Sequence, residues 1–554
     1  MDSEKRKVLA GVSHNSSSSP GVARSQTGAA RWAAAALLVG LTACGGGGGD
    51  GGGGGGTGSG GLGTSYVPGV FQPSESFAAR CVTPRTGINP LTGQPYRDSS
   101  GSSTDQNNWL RSWTHELYLW YSEVPDLNPA QYQTPAYFDL LKTSATTPSG
   151  RPKDQFHFTY STPEWVALSQ RGEEVGYGVQ WALIASTPPR RAVVAYVESS
   201  PPGATAAAGL TRGAEVLRID GTDFVNVNTS AGVAVLNAGM FPETAGATHT
   251  FEIRELNGTV RTVTLQAATV TTDPVMNVKT IPTSSGLVGY MLFNDHIATA
   301  EGRLATAIQT LKNAGVQDLV LDIRYNGGGY LDIASELAYM IAGPAPTAGR
   351  AFELLQFNSK HPTRNPVTGQ PITPAPFHTR SQGFSPGFPA GQVLPTLDLP
   401  RVFVLTGGTT CSASESIING LRGVDVEVIQ IGNTTCGKPY GFYAADNCGT
   451  TYFSIQFRGV NAKSFGDYAD GFSPSSVPDP TGAQVKGCSV PDDFTHPLGD
   501  IGENRLEAAL AYRDTGQCVA LATDKAGTQA LRILSATDAE IPKSPWRMNR
   551  ILRE

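Results

Sequence analysis

Charged residues are scarce in this sequence, at 16% of 554 residues, and the net charge is only −6. Lys and Arg are scattered rather than clustered, which argues against nucleic acid as the main partner. Metal-site spacing is missing too, because there is no CxxC pair and the eight histidines, His115, His157, His296 and His496 among them, are isolated. We therefore expect no nucleic-acid partner and no metal, and we interpret the histidines as surface or structural residues.

Long apolar runs are also scarce, and the run near the N-terminus, Trp32 to Ala43, has only twelve residues. This is too short to span a bilayer. Because Arg24 and Arg31 precede it, the run is typical of a signal peptide, and Leu41 to Cys44 (LTAC) is similar to a bacterial lipobox. We predict a lipoprotein signal peptide over residues 1–43 and lipidation of Cys44. An ordinary secretory signal with a chance cysteine is the alternative.

A glycine-rich stretch follows, GGGGGDGGGGGGTGSGGLG at 45–63. Such a sequence cannot bury apolar area and behaves as a flexible coil. We predict a tether over residues 44–72 that links a globular body to a lipid anchor. The expected location is the cell envelope, either the outer membrane facing the periplasm or the cell surface.

Six cysteines remain once Cys44 is set apart as the lipidation site: Cys81, Cys411, Cys436, Cys448, Cys488 and Cys518. An even number in an exported protein indicates disulfides, for which six cysteines allow fifteen connectivities.

The sequence patterns predict a multidomain α+β protein. Aromatic residues at helical spacing in NNWLRSWTHELYLWY (107–121) indicate a small N-terminal helical region over 73–165, with a second short helix near 136–142. Short β-runs mark a β-rich domain over 166–272. Alternating strands and helices then indicate an α/β layered core over 273–520, followed by a C-terminal tail over 521–554. The predicted elements of the core are strands at 286–293, 318–323, 402–406, 426–431 and 449–458 and helices at 300–314, 332–341, 412–421 and 506–512.

The β-rich domain resembles a PDZ domain. SSPPGATAAAGLTRG (199–213) followed by EVLRIDG (215–221) is similar to its turn, helix, glycine turn and strand. The resemblance implies that Gly176, Tyr177, Gly178 and Val179 form the loop that binds a peptide carboxylate. Glycines there let backbone N–H groups converge on an anion, and an exposed strand edge pairs with an extended peptide. A purely structural β-module is the alternative.

Ser412 and Lys438 are the candidate catalytic residues. Ser412 lies between the strand RVFVLT and a helix, where unpaired N–H groups favour developing negative charge. The alternative is that Ser412 serves only as a helix N-cap, since Glu415 three residues later completes a capping box. Lys438 follows the next strand, 26 residues after Ser412, so a strand–helix–strand unit returns it to the same sheet edge. A buried lysine can act as general base for a serine.

Three ordered motifs resemble those of the tail-specific, or C-terminal processing, serine peptidases. DIRYNGGG (322–329) is similar to the D-x-R-x-N-x-G-G element, SASE (412–415) to the nucleophile motif and TCGK (435–438) to the motif of the base lysine. The resemblance implies peptide-bond hydrolysis by a Ser412–Lys438 dyad without metal or nucleotide, on protein tails captured by the PDZ-like domain. Gly328, Gly329 and Ala413 are the candidate oxyanion-hole donors.

Three positions depart from the family pattern: Gly423 stands where the family often has Asp, Phe442 stands where it often has Gln, and Pro439 follows Lys438 in place of the usual small residue. The missing Asp and Gln motivate an alternative function, a catalytically inactive lipoprotein that binds protein tails as an adaptor. GNTTCGKP (432–439) also fits seven positions of a nucleotide-binding Walker A loop, but Pro439 replaces the Ser or Thr that holds magnesium. We expect no nucleotide.

The Thr-Thr-Cys triplet occurs twice, before Ser412 and before Gly437-Lys438. If the two loops meet, Cys411 and Cys436 are candidates for a disulfide between them, with Cys448 and Cys488 as competing partners.

Overall fold

The computed structural model describes residues 66–89, 92–518 and 550–552. The predicted signal peptide, Cys44 and the glycine-rich stretch lie outside the described residues. Within the described part, no helix combines the length and the apolar character that a membrane crossing needs.

The N-terminal region contains short helices packed around aromatic side chains. Its elements are α1 (Ser103–Leu117), α2 (Thr134–Leu140), α3 (Thr162–Val166), β1 (Arg80–Cys81), β2 (Ser99–Ser100) and β3 (Phe158–Ser161). Helix α1 begins with a capping box between Ser102 and Asp105 and buries Trp109 and Trp113. The helix ends at Leu117, four residues before the predicted end at Tyr121. The reason is that the Leu119 N–H donates to the Ile455 carbonyl at 2.8 Å and not to a carbonyl of the helix.

The β-rich module is built on a six-stranded sheet. Its elements are β4 (Glu173–Gly176), β5 (Val179–Ala185), β6 (Arg191–Val197), β7 (Glu215–Ile219), β8 (Thr222–Asp223), β9 (Thr248–Arg254), β10 (Val260–Gln266), β11 (Ala268–Thr271), α4 (Gly203–Ala208) and α5 (Ser230–Met240). The strand order is β10-β9-β7-β6-β5, with β8 paired to β7, so β5 lies at an edge of this sheet. Strands β4 and β11 pair with each other at the two ends of the module.

A seven-stranded sheet forms the centre of the remaining chain. Its strands are β12 (Val275–Thr283), β13 (Gly286–Phe293), β14 (Asp318–Asp322), β18 (Arg401–Thr406), β19 (Glu427–Gly432), β24 (Ser473–Ser475) and β25 (Gln484–Ser489). The order is β12-β13-β14-β18-β19-β25-β24, and every pair is parallel except the edge pair β12–β13. This arrangement confirms the α/β layered core.

Helices cover both faces of this sheet. They are α6 (Ala300–Ala314), α7 (Leu331–Ala342), α8 (Pro344–Thr347), α9 (Ala413–Gly423) and α10 (Asn504–Thr515). Alternate residues of β18 enter different cores: Val402 and Val404 pack with α6, α7 and α9, whereas Phe403 and Leu405 pack with α10 and β6. The continuous apolar run VFVL (402–405) within this strand therefore follows from burial on both faces.

Smaller strands complete the core and correct two predictions. They are β15 (Gly329–Tyr330), β16 (Ala351–Phe357), β17 (Ala375–Pro376), β20 (Tyr440–Tyr443), β21 (Ala445–Asn447), β22 (Thr450–Phe453), β23 (Phe457–Val460) and β26 (Arg550–Leu552). The single strand predicted at 449–458 is wrong: β22 pairs with β3, β23 pairs with β16 and β20, and the residues between them bond elsewhere. The tail predicted over 521–554 is not wholly separate, since β26 pairs with β15 and β20 inside the core.

Three disulfides join the six cysteines of the described residues: Cys81–Cys448, Cys411–Cys436 and Cys488–Cys518. The first of them ties the N-terminal region to the core across 367 residues of sequence.

Candidate active site

The three sequence motifs meet at one edge of the central sheet. Strands β14, β18 and β19 are neighbours, and each is followed by one of the motif loops. Because parallel strands present their carboxyl ends at the same edge, the loops come together there, as the sequence predicted. Backbone bonds join them: the Cys411 N–H donates to the Asn326 carbonyl at 3.1 Å and the Cys436 N–H to the Thr410 carbonyl at 2.9 Å.

Ser412 stands directly before helix α9 in an uncommon backbone conformation. Its φ is 61° and its ψ is −113°, a region that non-glycine residues rarely occupy. Such strain persists where the surrounding structure over-determines it, and a sharp strand-to-helix turn with a strained serine is a known way to present a nucleophile. The Ser412 side chain is fully buried, and its Oγ has no hydrogen-bond partner among the described residues.

Only one of the two hydrogen bonds of the predicted capping box at Ser412 is present among the described residues. The Ser412 N–H donates to Glu415 Oε2 at 2.8 Å, which is one half of a capping box. The other half would occupy Ser412 Oγ, and that atom makes no hydrogen bond within the described residues. The serine hydroxyl is therefore not used as a helix cap.

Glu415 joins the serine loop to the lysine loop. Its Oε2 also accepts the Lys438 N–H at 2.8 Å, while its Oε1 accepts the Gly437 N–H at 2.8 Å and the Thr435 hydroxyl at 2.5 Å. Since Ser412 and Lys438 donate to the same carboxylate oxygen, their backbone nitrogens lie within two hydrogen-bond lengths of each other. Burial raises the pKa of the Glu415 carboxyl, and these four hydrogen bonds oppose that shift.

The Cys411–Cys436 disulfide forms a second link between the same loops. The Cα atoms are 5.1 Å apart, inside the range that a disulfide allows. The two Thr-Thr-Cys triplets are thus covalently joined, and the competing partners Cys448 and Cys488 bind other cysteines. Cys411, Cys436 and Glu415 lie close together, but the sulfur atoms are bonded to each other and are not thiolate ligands for a metal.

Lys438 is fully buried between two aromatic rings. Its Nζ lies 4.4 Å from the centroid of the Phe156 ring and 4.7 Å from that of the Phe442 ring. Burial favours the neutral amine that a general base requires, whereas contact with the ring faces favours the ammonium. Phe442, at the position where the tail-specific peptidases often have Gln, therefore lies directly beside the candidate base.

Phe156 is a site residue that the sequence did not reveal. It belongs to the N-terminal region, 282 residues before Lys438, and its N–H donates to Asp154 Oδ1 at 2.9 Å. Nearby, Arg151 donates from Nη2 to the Cys436 carbonyl at 2.6 Å. No local pattern could have indicated these contacts, because they depend on how the N-terminal region packs against the lysine loop.

The glycine loop is shaped by Asn326 and His296. Asn326 donates from Nδ2 to the Phe293 carbonyl, so its Oδ1 accepts, both from the Gly328 N–H and from His296 Nδ1, each at 3.0 Å. Gly329 has a φ of 133°, and a Cβ there would lie 2.4 Å from the His296 carbonyl oxygen, so only glycine fits. His296 is thus buried at the site and is not on the surface.

One of the three candidate oxyanion donors is occupied in this conformation. The Gly328 N–H is directed at Asn326, so it does not point to an attacking centre beside Ser412. Ala413 is the first residue of α9, where an N–H has no acceptor within its own helix. Ala413 and Gly329 remain the predicted donors.

A buried charge cluster lies beneath the glycine loop. Arg324 contacts Asp322 at 2.9 Å, Asp492 at 2.7 Å and Glu503 at 2.6 Å. Arg212 of the β-rich module reaches the same cluster and contacts Asp492 at 2.9 Å. The arginine of the DIRYNGGG motif therefore has a structural role, away from the predicted chemistry.

The predicted peptide-binding loop lines a cavity of about 390 Å³ in the β-rich module. Gly176, Tyr177, Gly178 and Val179 all contribute to its wall. Its wall also includes Gln180 and Trp181 of the edge strand β5 and Met240 and Phe241 at the end of α5.

Two segments of the chain match protein-family models. Residues 287–441 match peptidase family S41, and residues 105–161 match the peptidase S41 N-terminal domain. The first segment contains all three motif loops, and the second contains Phe156.

A curated relative and a solved structure agree with these matches. Over 272 residues the chain is 25% identical to a "Carboxyl-terminal-processing protease" of Picosynechococcus sp. (strain ATCC 27264 / PCC 7002 / PR-6), which covers 49% of this chain and 56% of the relative. The chain thus spans little more than half of that relative's length. The crystal structure of "Putative S41 protease" from Bacteroides fragilis NCTC 9343 has a TM-score of 0.54 at 23% identity and covers 74% of this chain and 97% of that one, a likeness of fold. The chain is thus similar to the two S41 family models over residues 105–161 and 287–441, and its likeness to the solved structure is one of fold.

Proposed function

We propose that this chain is a serine endopeptidase with Ser412 as nucleophile and Lys438 as general base. The observation that carries the proposal is the single carboxylate oxygen of Glu415, which accepts the backbone N–H of both residues. The two catalytic loops are thereby fixed to each other twice, once by this carboxylate and once by a disulfide. A catalytic dyad requires that the nucleophile and the base are held close to each other in this way.

In the proposed reaction, Lys438 takes the proton of Ser412 Oγ as that oxygen attacks the carbonyl carbon of the scissile bond. The Ala413 and Gly329 N–H groups stabilise the resulting oxyanion. Lys438 then gives the proton to the leaving amine, and water hydrolyses the acyl-enzyme by the same sequence. Because Ser412 Oγ is buried and makes no hydrogen bond among the described residues, the serine and lysine side chains must approach each other when substrate binds.

The substrates are proposed to be exported proteins whose tails bind the β-rich module in a PDZ-like manner. Support comes from the cavity at the predicted loop and from the edge position of β5. Export and lipid anchoring through Cys44 form part of the proposal. The pairing of all six cysteines in the described residues agrees with an oxidising compartment.

Cleavage of an unfolded protein such as reduced casein tests the proposal. Wild type should cleave it and be labelled by a fluorophosphonate probe, whereas Ser412→Ala should lose both activities and Lys438→Met should lose nearly all cleavage while staying folded. Cleavage that survives in Ser412→Ala would overturn the nucleophile assignment. Absence of both cleavage and labelling in wild type, with tail peptides still bound, would favour the inactive adaptor.

A further inference from the structure

The short strand β26 lies between two strands that belong to the predicted catalytic loops. Strand β15 begins at Gly329, a predicted oxyanion donor, and β20 begins two residues after Lys438. The order in this sheet is β15-β26-β20, so within the described residues β15 and β20 are joined through β26 and not directly to each other. Residues 550–552 therefore fill a slot between the glycine loop and the lysine loop.

The register of β26 places an apolar residue beside both loops. Ile551 is opposite Tyr330 of β15 and opposite Phe442 of β20, with parallel pairing on both sides. Residues directly opposite each other in a sheet direct their side chains to the same face, and these three belong to one buried apolar cluster. The Phe442 ring is the one that lies 4.7 Å from Lys438 Nζ. Ile551 is thus paired with a residue that contacts the candidate base.

The backbone N–H of Gly329 faces β26. On the other side of β15, the Tyr330 N–H donates to the His296 carbonyl at 2.9 Å, and the His296 N–H donates to the Gly328 carbonyl at 3.0 Å. Because neighbouring residues of a strand direct their backbone groups to alternate sides, the N–H of Gly329 itself points to β26. A substrate carbonyl that accepts from this N–H must bring its backbone to the same side, where β26 already lies.

We propose that β26 occupies the position of the substrate strand and holds the chain in a resting state until a substrate peptide displaces it. The inference rests on the proposed function, in particular on Gly329 as an oxyanion donor. The ligand of the slot is an extended peptide that adds as a strand between β15 and β20, with Ile, Leu or Val at the register of Ile551. Since β26 has only three residues, a longer substrate strand replaces all of its backbone pairing.

The variant Ile551→Ala tests the release of β26 in the full chain. The smaller side chain weakens the packing of β26, so the variant should cleave reduced casein about tenfold faster than wild type and should react faster with a fluorophosphonate probe. Ile551→Val, a milder change, should show the same effects on a smaller scale. Ile308→Ala is the matched control, since Ile308 lies on helix α6 and is fully buried in the same apolar cluster. The control should lose thermal stability without gaining activity.

Peptide binding tests the slot independently of cleavage. The probe is a fluorescent peptide of residues 547–554, RMNRILRE, and its anisotropy is measured with the full chain carrying Ser412→Ala, with and without Ile551→Ala. The peptide should bind about tenfold more tightly to the protein with Ile551→Ala, because its slot is open in a larger fraction of molecules. The same peptide with Ile551→Asp should bind at least tenfold more weakly, since a carboxylate would enter an apolar cluster. Reduced casein should displace the native peptide.

Unchanged or lower activity of a folded Ile551→Ala protein, or equal peptide binding with and without this substitution, would overturn the inference and leave β26 with a structural role. The dyad assignment would survive that result, because wild type would still cleave casein. If neither wild type nor Ile551→Ala cleaves casein or reacts with the probe, the peptidase proposal fails. Displacement of the peptide by casein would in that case still support strand binding in the slot.

Discussion

At the scale of single residues, Glu415 is the group on which the proposed site depends most. It is fully buried and accepts four hydrogen bonds, three from backbone N–H groups and one from a hydroxyl. Glutamine would have to present its amide N–H₂ to groups that are themselves donors. Glutamine has the same shape as glutamate, but it cannot accept hydrogen bonds at both positions of the carboxylate.

We therefore expect Glu415→Gln to lower the free energy of unfolding by about 2–4 kcal/mol and to reduce peptidase activity at least tenfold at temperatures where it is folded. Urea denaturation and casein cleavage measure the two effects. Glu427→Gln is the control, because Glu427 is an exposed residue of β19 that pairs with Lys486 at the surface. A Glu415→Gln protein with wild-type stability would contradict the assigned hydrogen bonding.

The same residue shows what a sequence can and cannot reveal. The spacing of Ser412 and Glu415 indicated a helix start, and a helix does start there. The spacing could not reveal that Glu415 reaches the lysine loop, because that contact depends on the register of β18 against β19. Phe156 is a more extreme case, since nothing in its own neighbourhood distinguishes it from other buried aromatics.

At the scale of elements, the Cys411–Cys436 disulfide offers a matched comparison. Its two cysteines are separated by 25 residues in the sequence, and those of Cys488–Cys518 by 30. Both disulfides should therefore restrict the unfolded chain to a similar degree. Of these two disulfides, only Cys411–Cys436 joins the loops that carry the proposed nucleophile and base.

Replacing either pair by serine should therefore lower stability by a similar amount, about 3–4 kcal/mol by chain entropy. Only the Cys411→Ser/Cys436→Ser protein should also lose most of its activity when assayed below the unfolding temperature of both variants. Thermal unfolding and casein cleavage distinguish the effects. Equal activity of the two variants would show that the disulfide does not hold the dyad.

Helices α6 and α7 contain another element-scale feature, a pair of buried glutamates. Glu301 accepts the backbone N–H groups of residues 382–385, which lie in the long connection before β18. Glu336 accepts one of these same N–H groups, at 2.9 Å. Burial and the neighbouring charge of Glu301 raise the pKa of Glu336 to about 10. Glu336 is therefore protonated in the folded protein at neutral pH.

This shift makes stability depend on pH with a definite sign. Because the folded pKa exceeds the unfolded value, the contribution of Glu336 is complete below about pH 4.5 and is lost as pH rises towards 10. Glu336→Gln should remove this loss and gain on the order of 3 kcal/mol relative to wild type at pH 7. Glu301→Gln should instead destabilise at every pH, since four donors would meet an amide. Urea titrations at pH 5 and pH 8 test the difference, and a wild-type pH slope in Glu336→Gln would contradict it.

The success of the element predictions follows from burial. The strand at 286–293 and the helix at 300–314 have the predicted bounds, because apolar periodicity and the glycine after the helix both reflect the core. The strand predicted at 449–458 failed because alternation alone cannot indicate a switch between two sheets. The return of β26 to the core could not be predicted either, since its partners β15 and β20 are over a hundred residues away.

At the scale of the whole molecule, one buried arginine connects the β-rich module to the core. Arg212 donates to the Ala195 carbonyl within its own module, and to Tyr325 Oη, Asp492 Oδ1 and the Asp493 carbonyl in the core. Tyr325 is part of the DIRYNGGG motif, next to Asn326 of the glycine loop. Burial alone would raise the pKa of Asp492, but Arg212, Arg505 and Arg324 hold it well below its usual range.

Removal of this arginine should leave buried acceptors without a donor and weaken the charge compensation of Asp492. We expect Arg212→Met to lower the free energy of unfolding by about 3–5 kcal/mol, and Arg212→Lys to recover little, because an ammonium cannot reproduce the guanidinium contacts.

The pKa of Asp492 is depressed, so its stabilising contribution is present above about pH 4 and is lost as pH falls. This loss of stability at acid pH should be smaller in Arg212→Met. Arg218→Met is the control, since Arg218 lies in the same module, is half exposed, and makes only exposed contacts among the described residues, with Glu252 at 3.9 Å and the Gly221 carbonyl at 3.4 Å. Urea denaturation at pH 7 and pH 3 measures these effects, and limited proteolysis should release the β-rich module from Arg212→Met sooner than from Arg218→Met. Equal stability of the two variants at pH 7 would mean that the β-rich module is held to the core by its apolar contacts alone.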